Sequence, residues 1–224
     1  DHRDLHSFPT RRSSDLFANS GPVFDKKMFY GRNEFIDRIT EAIIRADSKQ
    51  VVIYGQKRSG KSSVLHHLKK SLQDTNKTFC INFNIGDIFE TLTSTTFFYK
   101  ILSSILEELE NLRNDGFEVP AFKVMPYSDF KDQPNPADLF RKEIKKFKRA
   151  CLLLESWKDK KFVVMIDEFT YLYTAIKEKK VSDAIMKQWK AITQNEDSTF
   201  SSVLVGHDVF PDRKSTRLNS SHGI

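Results

Sequence analysis

The feature that most constrains the fold of this 224-residue chain is the octapeptide GQKRSGKS at residues 55–62. It fits the pattern G-x-x-x-x-G-K-[ST] at every fixed position, follows the β-branched run at 51–54 and precedes apolar residues at helical spacing. The two glycines let the backbone turn tightly enough to point its N–H groups at phosphate oxygens. A strand, a phosphate-binding loop and a helix therefore predict a nucleoside-triphosphate site in an α/β fold.

Each part of this loop has an expected role. Lys61 places a positive charge at the β- and γ-phosphates and stabilises charge in the transition state, so it is a predicted catalytic residue. Ser62 offers its hydroxyl to Mg²⁺, and the helix that begins here presents its positive end to the anion. The residues of this segment predicted to bind ATP are Gly55, Gln56, Lys57, Arg58, Ser59, Gly60, Lys61, Ser62 and Ser63.

A second segment carries the acids that such a site needs. The apolar run FVVMI at 162–166 ends in Asp167 and Glu168. A continuous apolar strand is typical of a sheet covered by helices on both faces, and ligands bind such sheets at the carboxyl ends of the strands. We predict that Asp167 holds Mg²⁺ together with Ser62, and that Glu168 is the catalytic residue that polarises the attacking water.

The rest of the chain alternates between strand and helix patterns. Strand patterns fall at 50–54, 78–85, 162–166 and 201–205, and helix patterns at 35–43, 61–72, 97–116, 136–157 and 181–194. Residues 119–136 contain four of the seven prolines and are interpreted as a surface loop without chemistry. This alternation predicts a three-layer αβα sandwich with a mostly parallel central sheet.

The segments GR, GQKRSGKSS and VVMIDEF resemble an AAA+-related ATPase, with the STAND and archaeal Orc1/Cdc6-like groups as the most similar. In those families the Gly-Arg segment packs near the adenine, which implies that Gly31 and Arg32 lie close to the nucleotide. The resemblance also implies a sensor of the γ-phosphate at the end of the strand after Asp167. His207 and Asp208 are the candidates there, and an ordinary strand-end turn is the alternative.

Two asparagines at the second strand extend this resemblance. Asn82 or Asn84 can restrain Glu168 through a hydrogen bond, as an asparagine or threonine does in some relatives, and Asn84 is also a candidate sensor. No Asn-Lys-x-Asp motif is present, because the nearest match, at 76–79, fails at its fourth position. Adenine is therefore favoured over guanine.

Both ends of the chain differ in character from its centre. Residues 1–16 and 212–222 look like in-frame translations of sequencing adapters, with Ser/Arg-rich disordered tails as the alternative. We expect one P-loop ATPase domain at 17–211, with residues 1–16 and 212–224 as tails. The resemblance implies a lid or winged-helix domain further along, so the domain is expected to be truncated at its C-terminal side.

Composition limits where the protein can be located and which partners it can bind. No apolar run approaches the roughly 20 residues that cross a bilayer, so no membrane span is expected. Cys80 and Cys151 lack metal-ligand spacing, and no secretory segment precedes them, which favours reduced thiols in a cytoplasmic protein. The mild positive charge suits a solvated lysine-rich surface better than a nucleic-acid partner.

Two functions stay open on this basis. The first is Mg²⁺-dependent ATP binding and hydrolysis that drives a conformational switch, with weak activity expected of a truncated domain. The second is a nucleotide-dependent regulatory or DNA-associated interaction module with little turnover. A DNA or protein partner would then bind through the missing C-terminal domain, and the domain could form a nucleotide-dependent homo-oligomer.

Overall fold

The computed structural model of the chain describes residues 32–45, 50–194 and 200–207. Gly31, Asp208 and both tails lie outside these ranges. The strands are β1 (Gln50–Gly55), β2 (Thr78–Asn84), β3 (Lys161–Asp167) and β4 (Phe200–His207). The helices are α1 (Asn33–Arg45), α2 (Lys61–Asp74), α3 (Ser94–Asn114), α4 (Tyr127–Lys131), α5 (Pro136–Leu152), α6 (Thr170–Lys177) and α7 (Ala184–Thr193), with a 3₁₀ helix, η1 (Ile85–Thr91), after β2.

The four strands form one parallel sheet in the order β1-β4-β3-β2. Gly55 at the end of β1 is paired in register with His207 of β4, and Asn84 of β2 with Asp167 of β3. The predicted α/β fold with a parallel sheet is therefore confirmed. Because β4 lies between β1 and β3, its carboxyl end falls between the phosphate-binding loop and the acids of β3.

Helices cover both faces of this sheet, and the side chains of β3 alternate between them. Val163 and Met165 pack with α1 and α2 on one face, where Ile43 and Leu68 are fully buried. The other face packs against α3, α5 and α7 through a large apolar cluster rich in aromatic rings. This explains why the sequence of β3 is apolar without interruption: both faces of the strand are buried.

The outer edge of β2 is flanked by a polar bridge between the two helical layers. Lys69 of α2 and Glu108 of α3 form an ion pair with 2.9 Å between Nζ and Oε2. Gln73 Nε2 donates to the other carboxylate oxygen of Glu108, also at 2.9 Å. Because α2 and α3 lie on opposite faces, this bridge passes around β2, the last strand in the described sheet.

Helix boundaries differ from the sequence prediction mainly in the second half of the chain. The helix expected to reach residue 157 ends at Leu152, and short turns lead from there to Trp157, whose Nε1 donates to the Glu118 carbonyl at 2.8 Å. The proline-rich segment contains the short helix α4, which begins directly after Pro126. Two further elements, η1 and α6, were not predicted, and both lie beside the site described next. Within the described ranges, no helix combines the length and the apolarity that a membrane crossing needs.

Candidate nucleotide-binding site

The phosphate-binding loop joins β1 to α2 through two residues with positive φ. Arg58 has φ 64°, and Gly60, the N-cap of α2, has φ 79°. The Ser59 amide donates to the Gln56 carbonyl at 3.3 Å, and the Val64 amide donates to the Gly60 carbonyl at 3.0 Å. Glycine adopts the left-handed conformation without a steric penalty, which accounts for Gly60 at the point where the loop turns into the helix.

Lys61 and the two acids of β3 lie in one electrostatic environment. The ammonium of Lys61 donates to the carbonyls of Gly55 at 3.1 Å and Gln56 at 2.6 Å, so the side chain is folded over its own loop. Burial lowers the pKa of Lys61, while the carboxylates of Asp167 and Glu168 act in the opposite direction and raise it. The structure thus brings the lysine of one motif to the acids of the other.

Arg32 contributes a second positive charge beside this loop. Its Nη1 atom lies 3.7 Å from the position that a Cβ on Gly60 would occupy. Its carbonyl accepts from the Ile36 amide at 3.1 Å, so the same residue also opens helix α1. The guanidinium therefore lies against the phosphate-binding loop, and its proximity to a nucleotide stays a prediction.

The residues predicted to hold Mg²⁺ share one cleft. The side chains of Ser62 and Asp167 both line a cleft between α2 and β2. Asp167 Oδ1 accepts from the Glu168 amide at 2.8 Å, which leaves its second oxygen for a ligand. No group of three or more His, Cys, Asp or Glu side chains with metal-binding geometry occurs in the described part of the chain. One hydroxyl and one carboxylate suit Mg²⁺, which usually keeps several waters and binds substrate phosphates.

Glu168 occupies an unusual backbone conformation at the end of β3. Its φ is 52°, in the left-handed region, and its carbonyl accepts from the Tyr171 amide at 2.9 Å. A Cβ placed on Gly86 of η1 would lie 3.1 Å from Glu168 Oε2 and 3.0 Å from Asn84 Oδ1. The carboxylate and the 3₁₀ helix are therefore in close contact because residue 86 has no side chain.

Asn84 has a structural partner of its own. Its Oδ1 accepts from the Gly86 amide at 2.7 Å, and it is the N-cap of η1. Within residues 32–45, 50–194 and 200–207, no hydrogen bond joins Asn84 to Glu168. Asn82 lies on the same strand with an exposed side chain in the cleft of Ser62. A direct restraint on Glu168 by either asparagine thus stays a prediction, whereas the cap made by Asn84 is a feature of the fold.

His207, the described member of the predicted sensor pair, contacts the first turn of α6. Its Nδ1 lies 3.0 Å from Thr170 Oγ1, and its backbone amide is 3.5 Å from the same oxygen. Its ring meets that of Tyr171 edge to face, with centroids 5.9 Å apart. The Phe169 amide donates to the Val205 carbonyl at 2.8 Å, which ties the start of α6 to β4. Sequence reasoning missed Thr170 and Tyr171, because nothing in DEFTY indicates a contact with a strand some 35 residues away.

A phosphate-binding loop on β1, acids at the end of β3 and a parallel sheet with β4 between them define a P-loop nucleotide-binding domain. Residues 29–220 match the model of a family described as an ATPase domain predominantly from Archaea. The chain belongs to this family. Sequence comparison with curated proteins gives no significant match.

Solved structures share the same fold at low sequence identity. A Walker-type ATPase from Pyrococcus abyssi superposes with a TM-score of 0.56 at 14% identity, over 84% of this chain and 48% of the other. The Orc2 protein of Aeropyrum pernix in its ADPNP–ADP complexes gives 0.50 at 13% identity, over 81% and 42%. Its ADP form gives 0.51 at 12% identity, over 87% and 45%. The chain therefore spans less than half the length of these relatives.

Proposed function

We propose that this domain binds ATP together with Mg²⁺ and hydrolyses it, and that contact with the γ-phosphate controls a conformational switch. The observation that carries this proposal is the cleft that Ser62 of the phosphate-binding loop and Asp167 line together. Burial lowers the pKa of Lys61, while the carboxylates of Asp167 and Glu168 raise it. Family membership supports it, because the family is one of ATPase domains. The activity of the whole protein is likewise a proposal, because this chain spans less than half the length of the solved relatives.

Each residue has a role in this proposal. Lys61 leaves its loop carbonyls and, with the loop amides, stabilises negative charge on the β- and γ-phosphates. Ser62 and Asp167 would hold Mg²⁺, which neutralises charge on the phosphate oxygens when bound. Glu168 orients the attacking water and accepts its proton. Arg32, beside Gly60, adds a further positive charge at the loop.

The proposed switch rests on the contacts of the turn that follows β3. That turn carries Glu168, and its next residues bind β4 through the pairs Phe169–Val205 and Thr170–His207. A movement of His207 toward or away from a γ-phosphate would therefore be transmitted to the backbone beside Glu168 and to α6. Release of elements after loss of γ-phosphate contacts is the usual output of such switches.

Two variants of the chain test this function. Lys61→Ala should abolish ATP binding in titration calorimetry, because the phosphates lose their principal side-chain charge. Glu168→Gln should bind Mg·ATP normally but lower the hydrolysis rate by about 10²–10⁴-fold, the range of general-base catalysis. Lys177→Ala, at an exposed lysine of α6, is the control and should leave both properties unchanged. Normal hydrolysis by the Lys61→Ala protein would refute the proposal.

A second candidate is an interaction module that holds nucleotide with little turnover. The Orc2 structures, which contain ADP and ADPNP, favour it. In this second candidate, a DNA or protein partner binds through a further domain and the protein acts in the cytoplasm. Bound nucleotide controls whether the protein forms a homo-oligomer. Turnover and oligomeric mass of the longer natural protein, measured with and without duplex DNA, would distinguish the two candidates.

A further inference from the structure

Thr170 Oγ1 lies 3.0 Å from Nδ1 of His207, and which of the two atoms donates depends on the nitrogen that carries the ring proton. We propose that Thr170 is a positioning residue that fixes the tautomer of His207, with Nδ1 as a hydrogen-bond acceptor and Nε2–H as the donor presented to the γ-phosphate. This inference rests on the proposed function, since it assigns His207 a phosphate to contact. It adds a residue, Thr170, that neither the sequence motifs nor the family description assigns.

Hydrogen-bond accounting at the threonine hydroxyl leads to this tautomer. A hydroxyl has one proton to donate and two lone pairs that accept. Thr170 Oγ1 already faces the His207 backbone amide at 3.5 Å, and an amide can only donate. If Oγ1 accepts there, its own proton is directed to Nδ1, 3.0 Å away, and both groups are satisfied. The opposite tautomer would bring a second N–H to the same oxygen and leave the hydroxyl proton without an acceptor among the described residues.

The fold makes room for this contact at Gly206. A Cβ on Gly206 would lie 2.8 Å from Thr170 Cγ2, closer than real Cβ atoms approach another atom. Gly206 is not one of the glycines with positive φ, so its backbone does not itself require glycine. The absence of a side chain at this position therefore serves the close approach of Thr170 to the end of β4.

The ring of His207 is held on a second side as well. Tyr171 meets it edge to face, and Tyr171 in turn packs against Phe89 of η1 with ring centroids 5.4 Å apart. With Nδ1 bound by Thr170, the remaining nitrogen, Nε2, has no partner in the part of the chain that the structure describes. It belongs to a residue at the carboxyl edge of the sheet, in register with Gly55 of the phosphate-binding loop.

The tautomer matters because a phosphate accepts hydrogen bonds and does not donate them. Nε2–H offers it a donor, whereas a bare Nε2 lone pair would repel its oxygens. Side-chain orientation alone would not guarantee this, since the two neutral forms of histidine have the same shape. Thr170 thus determines that Nε2 carries a proton and donates to the phosphate, in addition to holding the ring in place.

Nitrogen NMR on the nucleotide-free protein tests the tautomer without any activity measurement. In ¹⁵N-labelled protein at alkaline pH, we expect the proton on Nε2 and an unprotonated Nδ1. In Thr170→Val, which keeps the shape but loses the hydroxyl, the two forms should become mixed, and Thr170→Ser should restore the Nε2–H form. A proton on Nδ1 in the unmodified protein would overturn the proposal whether or not the domain hydrolyses ATP.

Kinetics test whether Thr170 acts through His207. Thr170→Val should lower the ATP turnover rate about tenfold, as expected for one lost positioning hydrogen bond, with little change in ATP affinity. In a His207→Ala background the same substitution should have no further effect, because the group it positions is gone. Gly206→Ala should resemble Thr170→Val, since the added Cβ displaces Thr170.

Thr174→Val is the matched control. Thr174 lies one turn further along α6, and its hydroxyl donates to the Thr170 carbonyl at 3.4 Å without contacting His207. Its substitution should leave both the tautomer and the turnover rate unchanged. An equal loss of turnover in Thr174→Val, or an undiminished effect of Thr170→Val in the His207→Ala background, would show a purely structural role and overturn the proposal. Absence of ATP binding in all proteins would instead refute the proposed function and leave the NMR result standing.

Discussion

Replacement of Glu168 by glycine is expected to stabilise the domain while it abolishes ATP hydrolysis. Glu168 has φ 52°, a conformation that costs a residue with a Cβ about 1–2 kcal/mol. Glycine adopts it freely but loses more backbone freedom on folding, at a cost of about 0.5–1 kcal/mol. The midpoints of these two ranges leave a net gain in the free energy of unfolding of about 0.7 kcal/mol. Within the described ranges the carboxylate makes no hydrogen bond or ion pair whose loss would offset this gain.

Thermal unfolding measures the gain, and two variants separate its causes. For a chain of 224 residues, 1 kcal/mol corresponds to about 2–4 °C, so Glu168→Gly should unfold about 1–4 °C higher than the unmodified protein. Glu168→Gln removes the same charge but keeps the Cβ, so the difference between the two variants isolates the backbone term. Lys179→Gly, at an exposed lysine with φ 58°, should show a similar gain with full activity. If Glu168→Gly unfolds at or below the temperature of Glu168→Gln, the reasoning from backbone strain is wrong.

Three further predictions concern stability and reactivity. Thr93→Ala should lower the free energy of unfolding by about 1 kcal/mol, because the Thr93–Thr96 capping box at the start of α3 is lost; urea titration would measure this, and an unchanged midpoint would contradict it. Burial raises the pKa of the Cys80 thiol to about 12, so Cys80 should resist alkylation at pH 8 until the chain unfolds; mass spectrometry of peptides would detect the adduct, and rapid labelling of native protein would exclude a buried thiol. A double-mutant cycle on Lys69 and Glu108 should give a coupling energy of about 0.5–1 kcal/mol that falls with added salt, and a coupling near zero at low salt would show that the bridge contributes nothing.

The sequence motifs predicted the regions whose chemistry is local. The phosphate-binding loop is recognisable because its glycines and lysine occupy fixed positions, and β3 because a strand buried on both faces must be apolar throughout. From these two segments one shared site is predicted; in the structure Ser62 and Asp167 line one cleft. Burial lowers the pKa of Lys61, and the carboxylates of Asp167 and Glu168 raise it. The roles of these residues in binding and hydrolysis stay predictions.

The order of the strands and the short elements around these two segments could not be predicted from the sequence. The position of β4 between β1 and β3 results from packing across the whole sheet, and no single strand encodes its neighbours. The start of α6 escaped prediction because the turn before it uses Glu168 at positive φ, where glycine or asparagine would have been the usual signal. Thr170 was missed for a different reason: its partner is on β4 and not near it in sequence.

The strand order also has a consequence for how the domain is made. The described partner of β1 is β4, and Val51 pairs with Val203, so about 150 residues are synthesised between them. At about 5–20 residues per second, the phosphate-binding loop leaves the ribosome roughly 8–30 s before the strand that completes its side of the sheet. During that interval β2 and β3 can already pair, whereas β1 must wait with an unpaired edge. The β1 side of the candidate site can therefore be completed only after β4 has emerged, well after β2 and β3 are able to pair.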